Sequence, residues 1–223
     1  MKTLDFLTGY WKQYIELEKE FAETIPYLEI STINNEAFSR KYAKLMLQIG
    51  SECDITLKKF CKEIDMSFNG RSIDKYRICI KKECHDFPLT SVSIELDHNR
   101  LLRPWDEWAK GDSNPSWWTV YNKNKHQRTD LGKIDNIQKM YSEFANQKYT
   151  INALAGLYVV EIFLYRELIK SDPQDGLGET PLPGSRLFHL TGGAWDNVTF
   201  YRDTFIEIDN SGHLRISYGE FSY

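Results

Sequence analysis

The chain is short of cysteine, of long apolar runs and of surplus positive charge, and each shortage removes a class of protein. Cys53, Cys61, Cys79 and Cys84 are the four cysteines in 223 residues, and their spacings match neither a zinc finger nor a CxxC redox site. Free thiols, mostly buried, are expected in place of a disulfide framework. Cys84-His85 is half a metal site with no companion pair at ligand spacing, so neither a metal nor a cofactor is expected. The longest apolar run, Ile151 to Tyr165, is too short for a bilayer and carries Glu161, which predicts a buried helix and no membrane span. Met1 to Tyr10 holds Asp5 and lacks the pattern of an export signal, so the expected location is the cytoplasm. Lysine and arginine number 28 against 32 acidic residues, a net charge of −4. That excludes a globally basic footprint and confines any nucleic-acid contact to a local cluster.

What is present is a globular composition rich in rings: 41% hydrophobic, 27% charged and 14% aromatic residues, enough to bury a sizeable core. Leu7, Tyr10, Trp11, Tyr14, Leu17, Phe21 and Ile25 recur at three- and four-residue steps and predict an amphipathic helix from Leu4 to about Ile25. Phe38, Tyr42, Leu45, Ile49, Cys53, Leu57, Phe60 and Ile64 draw a second stripe, a long helix over Glu36 to Asp65 with Asn35 as its cap. Ile73, Tyr76 and Ile80 suggest a shorter third helix before Pro88.

Alternation of Val92, Ile94 and Leu96 resembles a strand within Leu89 to Leu96, and the stretch from there to Pro115, with Trp105 and Trp108, reads as a structured loop. Pro115 or Ser116 opens the next helix, capped by Ser113 or Asn114 and running to about Arg128. A polar linker containing Gly132 leads to a helix over Tyr149 to Lys170 that is apolar nearly all round and belongs at the centre of the core. Ser171 to Arg186 is rich in proline and glycine and marks a boundary. Beyond it Phe205 to Ile208 and Leu214 to Tyr218 flank Asp209-Asn210-Ser211-Gly212 as a hairpin, with Val198 to Arg202 as a third strand. The expected fold class is mainly α: a helical domain over residues 1–170, a connection over 171–186 and a β-rich tail over 187–223 packed on the helical domain.

The segment Ser116-Trp117-Trp118-Thr119-Val120-Tyr121-Asn122-Lys123-Asn124-Lys125-His126-Gln127-Arg128 carries the most chemistry, because a tryptophan pair runs into a short cationic stretch with a histidine. On a helix Thr119, Asn122 and His126 share one face, Trp117, Tyr121 and Arg128 a second, and Lys123 and Gln127 a solvated third. His126 is either a histidine hydrogen-bonded at a helix end or an acid-base or phosphate-contacting group. Trp117 and Trp118 pack in the core or stack on a base, and one of the pair must point away from the core. Glu161 inside an apolar helix needs a partner, for which Lys125, His126 and Arg128 are the candidates, and the pair reads as structural. Glu52 and Asp54 read the same way.

Two long helices, a helix carrying Asn122-Lys123-Asn124-Lys125-His126 and a long apolar final helix together resemble the HEPN superfamily over roughly residues 4 to 170. That resemblance implies a helical bundle working as a homodimer and, for many members, metal-independent RNA cleavage in defence or toxin-antitoxin systems, with an antitoxin or other protein partner. His126 would match the family histidine and Asn122 its polar position. The family's arginine has no counterpart among residues 115 to 122, so Arg128 would act from the other subunit. By the same resemblance Lys123, Lys125, Arg128 and Trp118 would contact RNA, with Tyr121 and Glu161 in support. The alternative is a noncatalytic dimeric adaptor, for which the tryptophan-rich loop from Trp105 to Trp118 and the β tail would supply the partner surface.

Overall fold

The computed structural model describes residues 1–171, 180–192 and 195, together with the backbone of two strands at 204–208 and 214–218. The architecture is mainly α with small antiparallel β elements. The first helical stretch runs through α1 (Thr3–Asp5), a π-helical segment (Phe6–Trp11) and α2 (Lys12–Ala22). α3 (Arg40–Ile64) starts later than the sequence suggests, because the Ser39 side chain, and not Asn35, accepts from the Tyr42 N–H as the cap. α4 (Ile73–Glu83) follows, and α7 (Gln147–Ser171) is the expected apolar helix, with Ile151, Leu154, Leu157, Tyr158, Val160 and Leu164 all buried. α3 packs along the length of α7, so two helices of opposite sequence character, one striped and one apolar all round, form the axis of the core.

Between α4 and α7 the structure departs from the predicted loop and linker. β1 (Ser91–Ile94) pairs antiparallel with β2 (Asp97–Leu102), and α5 (Asp106–Lys110) then carries Trp108 into the core. The strand stops at Ile94, since Leu96 lies in the turn and is exposed. After α6 (Ser116–Gln127) comes a hairpin of β3 (Leu131–Ile134) and β4 (Ile137–Met140) where a polar linker was expected. Its turn residues Asp135 and Asn136 both adopt left-handed backbone, φ 48° and 66°. A two-residue hairpin turn matched to strand twist demands that conformation, and Asp and Asn tolerate it better than other residues with a side chain.

β5 (Phe188–Thr191) completes a sheet of order β2-β1-β5, pairing Val92 with Leu190 and Ile94 with Phe188. The chain leading into it is pinned by Glu18, a buried carboxylate on α2. Glu18 accepts from the Tyr14 hydroxyl at 2.7 Å, from the Arg186 and Leu187 N–H groups at 3.0 and 3.2 Å, and from the Ser185 hydroxyl. Trp11 adds a hydrogen bond from its indole to the Pro183 carbonyl at 2.8 Å. β6 (Thr204–Ile208) and β7 (Leu214–Tyr218) form the predicted antiparallel hairpin. Its turn at 209–212 and the strand expected at Val198 to Arg202 lie outside the described residues, as do residues 172–179 of the Pro/Gly-rich connection.

Candidate functional site

α6 is held at its start by groups distant in sequence. No side chain of Ser113 or Asn114 caps it; the Ser116 N–H donates to Glu107 on α5 at 3.2 Å. The Ser116 hydroxyl donates to Asp135 in the β3–β4 turn at 2.8 Å, and Asp135 also accepts from Tyr149 at 2.8 Å and Lys148 at 3.0 Å. Burial pushes the Asp135 carboxyl up, but the bonds from Lys148, Tyr149 and Ser116 outweigh it and hold the group below the ordinary carboxylate range.

The middle of α6 is wedged between α3 and α7 by contacts between rings and glycines. A Cβ at Gly50 on α3 would stand 2.3 Å from the Tyr121 ring, and one at Gly156 on α7 would stand 2.8 Å from the Trp117 ring. Bare backbone is required at both places for the rings to seat. Trp117 donates its indole N–H to the Pro104 carbonyl at 2.8 Å. Trp118 is buried as well, edge-on to Trp117 and Tyr121. The expectation that one tryptophan turns outward therefore fails, and with it base stacking by Trp118. Trp105 and Trp108 are fully buried too, so the tryptophans of this loop are core residues and not an exposed surface.

Only the last turn and a half of α6 reaches solvent with functional groups. Lys125, His126 and Arg128 are exposed, and Lys123 and Asn122 are half-buried. Asn122 and His126 lie on one face, with the Asn122 amide donating back to the Trp118 carbonyl at 3.3 Å. The His126 side chain forms no hydrogen bond among the described residues. Lys123 bonds Gln127 at 2.7 Å and lies 5.2 Å from the centre of the Tyr141 ring, while Lys125 turns back to the Tyr121 hydroxyl at 3.5 Å. None of Lys123, Lys125, His126 and Arg128 pairs with a carboxylate among the described residues. Asp54 on α3 is half-buried. Burial pushes its carboxyl up, opposed by a hydrogen bond from the Tyr76 hydroxyl of α4 and by the charges of Lys125 and Lys58.

Asn124 went unnoticed in the sequence and fixes the geometry of this end. Buried at 3% exposure, it donates to Val120 at 3.2 Å and to the Tyr141 carbonyl at 2.9 Å. With the bonds from Ser142 N–H to the Arg128 carbonyl and from Tyr141 N–H to the Asp130 carbonyl, 2.9 and 3.0 Å, it ties the base of the β3–β4 hairpin to α6. A helix-face asparagine between two lysines gives no sequence signal of that role.

Glu161 does not join this group. It lies in the α3–α7 seam, where the Thr56 hydroxyl is its partner at 2.9 Å, and neither Lys125, His126 nor Arg128 is bonded to it. α7 meets α6 through Gly156, and Glu161 is five residues further, about 140° round the helix, so it faces α3 instead. Burial, with Glu52 adding to it, pushes its carboxyl up to about 8, so it is largely a neutral acid at pH 7.

Among the described residues no cluster of three or more histidine, cysteine, aspartate or glutamate side chains is arranged to hold a metal, and no helix is long and apolar enough to cross a membrane. All four cysteines are free, three of them buried, and burial first of all pushes each thiol up. Comparison of the chain with family models, with curated proteins and with solved structures yields no match.

Proposed function

We propose that this protein binds RNA through the C-terminal end of α6, and that it does so as a homodimer in the cytoplasm. The observation that carries the reading is the row of Lys123, Lys125, His126 and Arg128, cationic or protonatable groups brought to one exposed helix end with no carboxylate paired to any of them among the described residues. A helix C-terminus already stabilises such charges by its dipole, and a polyanion supplies the counter-charges the chain withholds. Leu131 and Met140, cross-strand partners on one face of the adjoining hairpin, stand exposed at 70% and 41%, an apolar pair suited to a second copy. In a dimer built there, two Asn122 and two His126 side chains would meet, the arrangement that phosphodiester cleavage by a histidine acid-base pair requires. A cleaving dimer of this kind fits a toxin or defence role held in check by a protein antitoxin.

The test uses purified protein and mixed-sequence single-stranded RNA. Charge reversal at Lys125 and Arg128 together should weaken binding and lower the slope of log affinity against log salt by about 2. Unchanged affinity and slope would sink the reading. Mass in solution tests the dimer, and His126→Ala tests cleavage: binding retained with cleavage lost assigns the chemistry to His126. Binding without cleavage in the wild type favours the noncatalytic adaptor instead.

A further inference from the structure

At the start of α6, the end remote from His126, a polar cavity of about 100 Å³ is enclosed by the segment joining β2 to α5, by α5, by the β3–β4 turn and by the first turns of α7. Most of its polar groups satisfy one another. Asp135 takes Ser116, Lys148 and Tyr149, and the Asn152 amide donates to the Lys148 carbonyl at 2.8 Å. Two lining charges of opposite sign are left over. Arg103 commits only its Nε, to the Ser91 hydroxyl of β1 at 3.2 Å, so both terminal nitrogens of its guanidinium are unengaged among the described residues. Glu107 accepts the Ser116 N–H on Oε1 at 3.2 Å, and its Oε2 bonds nothing among the described residues. Neither forms an ion pair among the described residues. Four apart in sequence, they would meet on one helix, but α5 begins at Asp106 and Arg103 lies before it, drawn to β1. Pro104 and the buried Trp117 add apolar lining, with the indole N–H already taken by the Pro104 carbonyl.

We propose that this cavity binds a small zwitterion, a free α-amino acid whose carboxylate is gripped by Arg103 and whose ammonium is taken by Glu107. The site goes beyond the RNA reading and does not rest on it. Charge sets the ligand class. Asp135 and Lys148 already pair at 3.0 Å, so a ligand of one charge would neutralise Arg103 or Glu107 and leave the other unmet, whereas a zwitterion meets both. The two free nitrogens of a guanidinium fork match the two oxygens of a carboxylate, and the ammonium shares its protons between Glu107 Oε2 and the Asn152 side-chain oxygen, which accepts nothing among the described residues. Volume sets the size. At about 15 Å³ for each water-sized sphere the cavity holds on the order of seven, room for glycine, alanine or serine and far too little for a nucleotide. Ser116 and Trp117 line the cavity, so its occupant touches the first turn of α6.

The test titrates the intact chain with glycine, L-alanine and L-serine and follows its N–H resonances by NMR. Saturable shifts are expected at the Ser116 amide and the Trp117 indole, with the His126 amide unmoved. Acetate and methylammonium, each carrying one of the two charges, should bind about tenfold or more weaker than glycine. Arg103→Gln and Glu107→Gln should each weaken glycine binding about tenfold or more, as expected when a charged hydrogen-bond partner is lost. Glu107→Gln keeps an oxygen for the Ser116 N–H, so the start of α6 stays formed, and a wild-type spectrum away from the cavity checks this. Lys110→Met, a change of charge on α5 outside the cavity, should leave glycine binding as it is. The absence of saturable shifts with all three amino acids overturns the proposal. So does acetate binding as tightly as glycine, which makes the cavity a simple anion site, and so does a loss in Lys110→Met equal to that in Glu107→Gln.

Discussion

The Glu161 carboxyl lies 2.9 Å from the Thr56 hydroxyl, which is also 3.0 Å from the Glu52 carbonyl, and the second Glu161 oxygen has no partner among the described residues. Thr56 has one proton for two acceptors, and a protonated Glu161 relieves the shortfall by donating to it. Folding thus keeps a proton that the unfolded chain releases near 4.5 and the folded chain releases near 8. Stability should fall as pH rises between those values and level off above, by an amount on the order of a few kcal/mol. Glu161→Gln removes the titration. Denaturant melts across this range should show the variant close to wild type at the acid end and more stable at pH 8; parallel curves would contradict the assignment.

Gly50→Ala places a methyl 2.3 Å from the Tyr121 ring, in a seam with no room to give. Overpacking of this kind costs about 1–3 kcal/mol. The same change combined with Tyr121→Leu should cost less than the sum of the two singles, which a four-way comparison of unfolding midpoints reads directly.

Glu18→Gln puts an amide donor where two backbone N–H groups and two hydroxyls now converge on carboxylate oxygens. The loss should be about 1–3 kcal/mol for the acceptor alone. Hydrogen exchange should quicken at Leu187 ahead of the helices, because the pinned segment opens first; uniform acceleration across the chain would argue that Glu18 supports α2 instead.

His126 is exposed and its side chain makes no bond among the described residues, so His126→Ala should shift stability by no more than about 0.5 kcal/mol. A larger loss in thermal melts would show that the histidine is structural, and would remove it from the RNA site.

The sequence carried the long helices well and the connections poorly, for a physical reason. α3 declares itself through apolar spacing, α7 through being apolar nearly all round and α6 through the proline that opens it, signals that depend only on residues in or beside the helix. β3 and β4 are short, hold Gly132, Lys133 and Lys139, and turn on Asp135-Asn136, so neither alternation nor an Asn-Gly pair announces them. β5 is defined by its pairing with β1, which no local pattern encodes. In the site, the shared face of Asn122 and His126 follows from spacing alone. The inward turn of Trp118 and the partner of Glu161 do not, because they depend on which faces of α3 and α7 meet α6, and that is decided by Gly50 and Gly156 acting as seats for rings. A glycine inside a helix reads as a weak point until the ring that fills its gap is known.

β1 draws one hydrogen-bonding neighbour, β2, from the chain just after it and the other, β5, from beyond α7. While the polypeptide is being made, β1 therefore waits as an open edge, apolar at Val92 and Ile94, until the residues from Phe188 to Thr191 leave the ribosome. A chain cut after α7 would keep its helices and lose the strand that closes this edge. Such a fragment should associate through β1, so its failure to stay dispersed would be a property of the missing neighbour and not of the helical core.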